Sequence, residues 1–121
     1  MQMLNRNPAA AYRRVALEAR IEASDSADLT RICLEEARFA LAQARGAIVR
    51  GSSAGREPLM RAQTILLWLA RSVAPEHPLG ASLKAFYGGL AGQVGAQIQQ
   101  GDVRGIDEIS KDISDVLEAA G

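Results

Sequence analysis

The sequence contains few of the residues that build sheets, disulfides or metal sites. Aromatic residues make up only 4% of its 121 residues, and there is one cysteine and one histidine. Strands favour aromatic and β-branched residues, whereas this chain is rich in Ala and Leu, which favour helices. One cysteine excludes an intramolecular disulfide. No His, Cys or Asp cluster has the spacing of metal ligands, so we expect no metal and no cofactor.

The sequence also has no excess of positive or negative charge and no long apolar run. Lys and Arg number 14, and so do Asp and Glu. Nucleic-acid binding needs a clustered basic face, so we expect no nucleic acid as a partner. No run reaches the roughly 18 apolar residues of a membrane span, and residues 1–6 lack the apolar region of a signal peptide. The sequence therefore predicts a cytoplasmic protein that is not embedded in a membrane.

No combination of residues indicates catalysis. His77 lies in a proline-rich predicted turn without a catalytic partner nearby in sequence. Glu35 and Glu36 are adjacent, and neighbours on a helix point about 100° apart, so their carboxylates do not converge. No phosphate-binding loop is present, and Cys33 lies in an apolar run typical of a buried side chain. We expect no catalytic residues, and the sequence predicts a protein that is not an enzyme.

Proline and glycine divide the chain into five predicted helices. Asn or Asp before an apolar-periodic stretch marks a start, and Gly marks an end. The helices are expected over about residues 9–21, 29–50, 57–73, 79–99 and 103–120. Short turns join helices to antiparallel neighbours. The predicted fold is all-α: an antiparallel four-helix bundle with an additional short N-terminal helix, in a single domain over residues 1–121. Residues 1–23 are expected to form a mobile N-terminal cap segment.

Four glycines lie inside the fourth predicted helix: Gly88, Gly89, Gly92 and Gly95. Each costs a helix about 1 kcal/mol relative to Ala. One interpretation is that small residues let a neighbouring helix approach closely; the other is a loose or kinked helix. The sequence leaves both open.

The predicted helices carry more large apolar side chains than one core needs. Phe39, Leu67, Trp68, Phe86 and Tyr87 cannot all point the same way as the main apolar stripes. Residues 65–70 are apolar on all sides, which indicates a central helix or a face reserved for a partner. We therefore expect some of these five side chains to line a groove that takes a helix of another protein.

The order of these features resembles the FliS family of flagellar export chaperones. The segment 62–69 looks like the family's Ala-x-x-Ile-x-x-x-Leu helix, and 82–87 looks like its Asn-Leu-x-x-Leu-Tyr. Residues 102–117 look like its last helix. There are departures: Leu34-Glu35 stands where the family has Tyr-Asp, and Gly88, Gly89 and Leu90 replace Asp-Tyr-Met. The resemblance runs from Tyr12 to Leu117.

The resemblance implies a function and adds candidate binding residues. FliS proteins bind the C-terminal segment of flagellin in the cytosol, prevent premature polymerisation and aid its delivery to the type III export apparatus, where the cytoplasmic domain of the export gate is a further possible partner. It adds Leu34 and Leu90 to the partner-binding candidates. It also adds Tyr12, as a residue of an N-terminal segment that covers the client groove.

Two other functions stay open at this point. The same apolar surplus would suit a helical interaction module, or a homodimer, with a partner other than flagellin. A ligand-binding or enzymatic bundle would instead require a deep polar pocket with convergent titratable groups.

Overall fold

A computed structural model describes residues 26–120, and all its regular structure is helical. The four α-helices are α1 (Ser26–Val49), α2 (Arg56–Ser72), α3 (Gly80–Gln100) and α4 (Val103–Ala120), with a short 3-10 helix at Ser53–Gly55. No strand occurs within that range. These helices match the second to fifth predicted ones within a few residues at each end. The predicted helix over 9–21 and the predicted cap segment lie outside the described residues.

The turns have the chemistry that the sequence predicts. Gly51 and Gly101 both adopt positive φ, 71° and 63°, a conformation that costs other residues a Cβ clash. Gly101 ends α3 and its N–H bonds to the Gln97 carbonyl. The Asp102 carboxylate accepts a hydrogen bond from the Arg104 N–H at 3.2 Å, so it caps α4.

The contacts divide the chain into two compact units, Met1–Ile32 and Cys33–Gly121. The described part of the second unit has one continuous core, to which all four helices contribute. Small residues dominate the α1 contribution and branched residues that of α4. The core includes Ala37, Leu41, Ala44, Leu59, Ala62, Leu66, Leu69, Tyr87, Leu90, Val94, Ile106, Ile109 and Ile113.

Polar contacts show that α1 and α4 run antiparallel. Arg38 donates to the Ser114 hydroxyl at 3.1 Å, and the Arg45 guanidinium pairs with the Asp107 carboxylate at 2.7 Å. Seven residues forward on α1 thus correspond to seven residues back on α4. The ion pair is half-exposed, so solvent screens it and it adds little to stability. Its main consequence is a fixed register between the two helices.

Helices α2 and α3 are also antiparallel. Near the end of α2, Val73 and Ala74 lie beside Gly80, the first residue of α3. Further back along α2, the Gln63 amide donates to the Ala91 carbonyl at 3.3 Å. The two contacts show that the chain runs along α3 in the direction opposite to that along α2.

The glycines of α3 have two different environments. A Cβ on Gly95 would lie 2.7 Å from the Gln63 amide nitrogen, whereas a Cβ on Gly88, Gly89 or Gly92 would meet no atom of residues 26–120 within 4 Å. α3 is nevertheless one unbroken helix from Gly80 to Gln100. Gly95 therefore leaves room for the Gln63 side chain of α2, and among the described residues no packing contact accounts for the other three glycines.

Candidate functional site

The outer face of α2 presents large apolar side chains to solvent. Met60, Leu67 and Trp68 are 47%, 40% and 41% exposed. They lie seven and eight residues apart, which is two helical turns, so they share one face. The opposite face of α2 is buried in the core. Of the two interpretations of the apolar run 65–70, the structure thus shows an apolar helix with one face left open.

Phe39 of α1 lies on the side of α2 that carries Trp68. The Arg61 guanidinium donates a hydrogen bond to the Gln43 amide oxygen, which brings these flanks of α1 and α2 together. Phe39 precedes Gln43 by one turn, and Trp68 follows Arg61 by two turns on the same flank. Phe39 is 37% exposed. We call Phe39, Met60, Leu67 and Trp68 the exposed apolar set.

The other predicted binding residues occupy different places. Leu34, Tyr87 and Leu90 belong to the buried core, and Phe86 is half-buried with its ring centroid 5.7 Å from that of Tyr87. Tyr12 lies outside the described residues. The structure thus brings Phe39, Leu67 and Trp68 to the surface of one helical pair and does not bring the core residues there. Partner binding by any of the eight stays a prediction.

Sequence reasoning missed Met60. Met60 lies two turns before Leu67 and Trp68, so helical spacing was the signal that would have found it. Leu79, by contrast, is 61% exposed and lies outside the exposed apolar set. The reason is that it stands before the first turn of α3, where its N–H donates to His77 Nδ1 at 2.9 Å. Its side chain therefore does not follow the helical period.

Titratable groups do not converge on a reactive site in this region. Burial, and then the nearby Glu36 carboxylate, raise the pKa of the half-buried Cys33 thiol. Burial likewise raises the pKa of the Tyr87 hydroxyl. Both groups therefore stay protonated at neutral pH, and a protonated thiol or hydroxyl is not an effective nucleophile. Among residues 26–120 no group of three or more His, Cys, Asp or Glu side chains could hold a metal ion.

An open pocket of about 360 Å³ lies where α1 turns into α2. It is shallow, and its ionisable lining is one arginine and one carboxylate. It lacks the deep set of convergent groups that a ligand-binding or enzymatic bundle would require. Its lining residues are Gln43, Ala47, Arg50, Ala54, Glu57 and Pro58.

A comparison with known families identifies the family of the chain. The model of the family described as flagellar protein FliS matches residues 8–119, nearly the whole chain. The chain belongs to the FliS family. FliS proteins are flagellar export chaperones that bind flagellin. No curated protein matches the chain. Within the described residues, no helix of this FliS protein has the length and apolar character to cross a membrane.

Proposed function

We propose that this chain binds the C-terminal segment of flagellin in the cytosol, keeps it from polymerising prematurely and aids its delivery to the type III export apparatus. The observation that carries the proposal is the exposed apolar set on one helical pair of a FliS-family chain. Soluble proteins rarely leave contiguous apolar patches uncovered unless the patch has a partner.

The physical chemistry of such a client fits this surface. A segment that is disordered alone must lose conformational entropy when it binds, so its affinity depends on a wide apolar contact. Amphipathic helices meet that demand by placing side chains at i, i+3, i+4 and i+7 into a groove. The exposed apolar set has the same helical spacing along α2, which suits a helical client. Such binding needs no catalytic group, and we propose no reaction.

The remaining expectations belong to the same proposal. We propose that residues 1–121 form one domain, an antiparallel four-helix bundle with an additional N-terminal helix. Tyr12 lies in the segment that would cover the client groove before flagellin binds. The cytoplasmic domain of the export gate is the further partner in this scheme.

A flagellin C-terminal peptide and the full chain provide the test. We expect a one-to-one complex at micromolar concentration by isothermal titration calorimetry. Trp68→Ala should weaken binding by about 2 kcal/mol or more, as truncated aromatic anchors do, while the free energy of unfolding falls by about 1 kcal/mol or less, since the side chain is exposed. Val49→Ala, which shortens an exposed apolar residue of α1, is the matched control and should leave the affinity unchanged.

Two outcomes would contradict the proposal. Absence of a complex with the wild-type chain would refute flagellin binding. A tight homodimer by sedimentation, together with absence of flagellin binding, would favour the alternative interaction module. A loss of several kcal/mol of stability in Trp68→Ala would instead show that this side chain acts in the core.

A further inference from the structure

The outer side of α3 lacks the charges that normally cover an exposed helix. Lys84 is the only charged residue between Gly80 and Gln100. A surface helix usually opposes its apolar stripe with a charged face. Half of the exposed positions of α3 are instead Ala or Gly, namely Ala81, Ala85, Gly89, Gly92 and Ala96, and the others apart from Lys84 are Ser82, Gln93, Gln99 and Gln100.

Packing within the chain does not explain the glycines on that side. A Cβ on Gly88 or Gly92 would meet nothing within 4 Å in the part of the chain that the structure describes, so alanine would fit against that part and would favour the helix. Glycine differs from alanine in its backbone freedom and in letting another backbone approach more closely. Since α3 is unbroken from Gly80 to Gln100, the second effect is the one used here.

Met60 and Leu67 lie three residues before and four residues after Gln63, so they are on the side of α2 that faces α3. Gly88 and Gly92 lie seven and three residues before Gly95, which faces Gln63, so they are on the side of α3 that faces α2. Because α2 and α3 are antiparallel, with Gln63 at the Ala91 carbonyl and Val73 beside Gly80, four residues forward on α2 correspond to four residues back on α3. Leu67 is therefore level with Tyr87, the residue before Gly88. By the same step Arg71 is level with Leu83, the residue before Lys84, and Met60 is level with Val94, two residues after Gly92. We call Met60, Leu67, Arg71, Lys84, Gly88 and Gly92 the α2–α3 groove.

One end of the α2–α3 groove is cationic. Arg71 and Lys84 lie within one residue of the same level, both are exposed, and within the described residues neither forms an ion pair. The α3 N-terminus lies at the same end, with no acidic residue in its first turn and no side-chain cap. Its helix dipole adds further positive potential there.

We infer that the α2–α3 groove takes one amphipathic helix of the client, with small residues against Gly88 and Gly92 and an acidic end over Arg71 and Lys84. The inference rests on the proposed function, since the client is the flagellin C-terminal segment. Met60 and Leu67 supply the apolar wall, the glycines set the close distance, and the two cations set the direction of the bound helix.

Charge favours a client helix in this groove over two other occupants, which are residues 1–25 of the same chain and a second copy of the chain. Residues 1–25 carry four arginines and three acids, and residues 6–14 carry three arginines and no acid. The segment as a whole is therefore slightly basic, and its net charge does not complement the two cations. A second copy would bring an identical groove, whose charged residues are again Arg71 and Lys84. An acidic helix is the partner that complements this end.

Adjacent glycines allow a matched test with the full chain and the flagellin C-terminal peptide. Gly88→Leu fills the groove beside Leu67, whereas Gly89→Leu places the same side chain about 100° around the helix. Neither Cβ meets an atom of the described residues within 4 Å, so both variants should fold, as thermal unfolding would show. We expect Gly88→Leu to weaken peptide binding about tenfold or more, the loss typical of a blocked anchor site. Gly89→Leu should bind as the wild type does.

A charge-reversal pair tests the direction of the bound helix. Arg71→Glu with Lys84→Glu should weaken binding and reduce its dependence on salt. Arg50→Glu with Arg104→Glu makes the same change of net charge at exposed positions outside the groove and should not alter the affinity.

The outcomes separate this inference from the proposed function. If the wild type binds the peptide and Gly88→Leu binds as tightly as Gly89→Leu, the groove assignment is wrong and the chaperone function stands. If the wild type does not bind the peptide at all, the proposed function fails, and the client of the groove fails with it. A wild-type dimer by sedimentation that Gly88→Leu abolishes would overturn the inference in favour of a second copy.

Discussion

Helices α3 and α4 form one hairpin but have opposite outer faces. They are joined by two residues, Gly101 and Asp102, and each buries apolar residues in the same core. The exposed residues of α4 are nearly all charged: Arg104, Asp107, Glu108, Lys111, Asp115 and Glu118. The outer side of α3 has a single charge, Lys84.

This difference separates what the fold requires from what a partner requires. Apolar inner faces are enough to build the core, and α3 and α4 are alike in that respect. A charged outer face keeps α4 hydrated, and its Lys111–Asp115 ion pair at 3.0 Å is the ordinary surface kind. The exterior of α3 carries one charge and several glycines that contact no described residue through a Cβ position, which is why we assign it to binding.

The largest expected effect tests whether the two inner faces are equivalent. Ile109 of α4 and Leu90 of α3 are 1% and 2% exposed. Replacing either with alanine should lower the free energy of unfolding by about 2–5 kcal/mol, because a cavity forms in a packed core. Urea denaturation measures both. Glu108→Ala, on the outer face of α4, should change stability by about 0.5 kcal/mol or less. If Leu90→Ala lowered the free energy of unfolding only slightly while Ile109→Ala lowered it strongly, the two inner faces would not be equivalent.

The next effect concerns the junction between the two helices. The Gln97 side chain is buried, and its Oε1 accepts the Asp102 N–H at 2.8 Å. Gln97→Ala leaves that N–H without its partner, so we expect a loss of about 1–3 kcal/mol. Gln93, one turn earlier and exposed, is the matched control, and Gln93→Ala should be close to neutral in the same denaturation experiment. Equal losses in the two variants would show that the junction is not specifically stabilised.

A smaller effect sharpens the contrast between helical and turn glycines. Gly89→Ala should stabilise the free chain by about 0.5–1 kcal/mol, since glycine in a helix interior is unfavourable and the new Cβ has room. Gly101→Ala should destabilise it by about 1 kcal/mol or more, because φ is +63° there. Thermal unfolding of both variants gives the signs. A stabilising Gly101→Ala would contradict the left-handed turn between α3 and α4.

The smallest effect is a pH dependence on the inner face of α3. Burial raises the pKa of Tyr87 above its ordinary value of 10.0 in the folded chain. The folded state then binds the proton more tightly than the unfolded state, so this contribution is complete below pH 10.0 and is lost as the pH rises through the higher folded-state pKa. We expect stability to fall more steeply above that pH in the wild type than in Tyr87→Phe, measured by urea denaturation. Identical profiles would contradict the burial effect.

The helices and turns could be predicted from the sequence because their signals are local. Gly101 and Asp102 carry their own backbone and capping preferences, and the structure shows the positive φ and the cap that these imply. Family membership was also predictable, since the order and spacing of the apolar segments extend over most of the chain.

Which apolar residues form the surface could be predicted less well, because tertiary packing decides it. Leu34 was assigned to partner binding from its place in the family pattern. It lies two helical turns before Leu41 and shares its buried face. Leu67 and Trp68 follow one another in sequence beside the buried Leu66 and Leu69, so composition cannot distinguish them. Only the positions of α1 and α3 on either side of α2 show that the first pair is open to solvent.

The position of Trp68 determines how this protein will report on itself spectroscopically. Trp68 is the only tryptophan, and its indole already contacts water in the folded chain, being 41% exposed. Its intrinsic emission should therefore shift little on denaturation, so circular dichroism is the better probe of unfolding. A ligand that covers the ring should move the emission to shorter wavelength. Titrations followed by fluorescence would then detect occupancy of the apolar face without an added label.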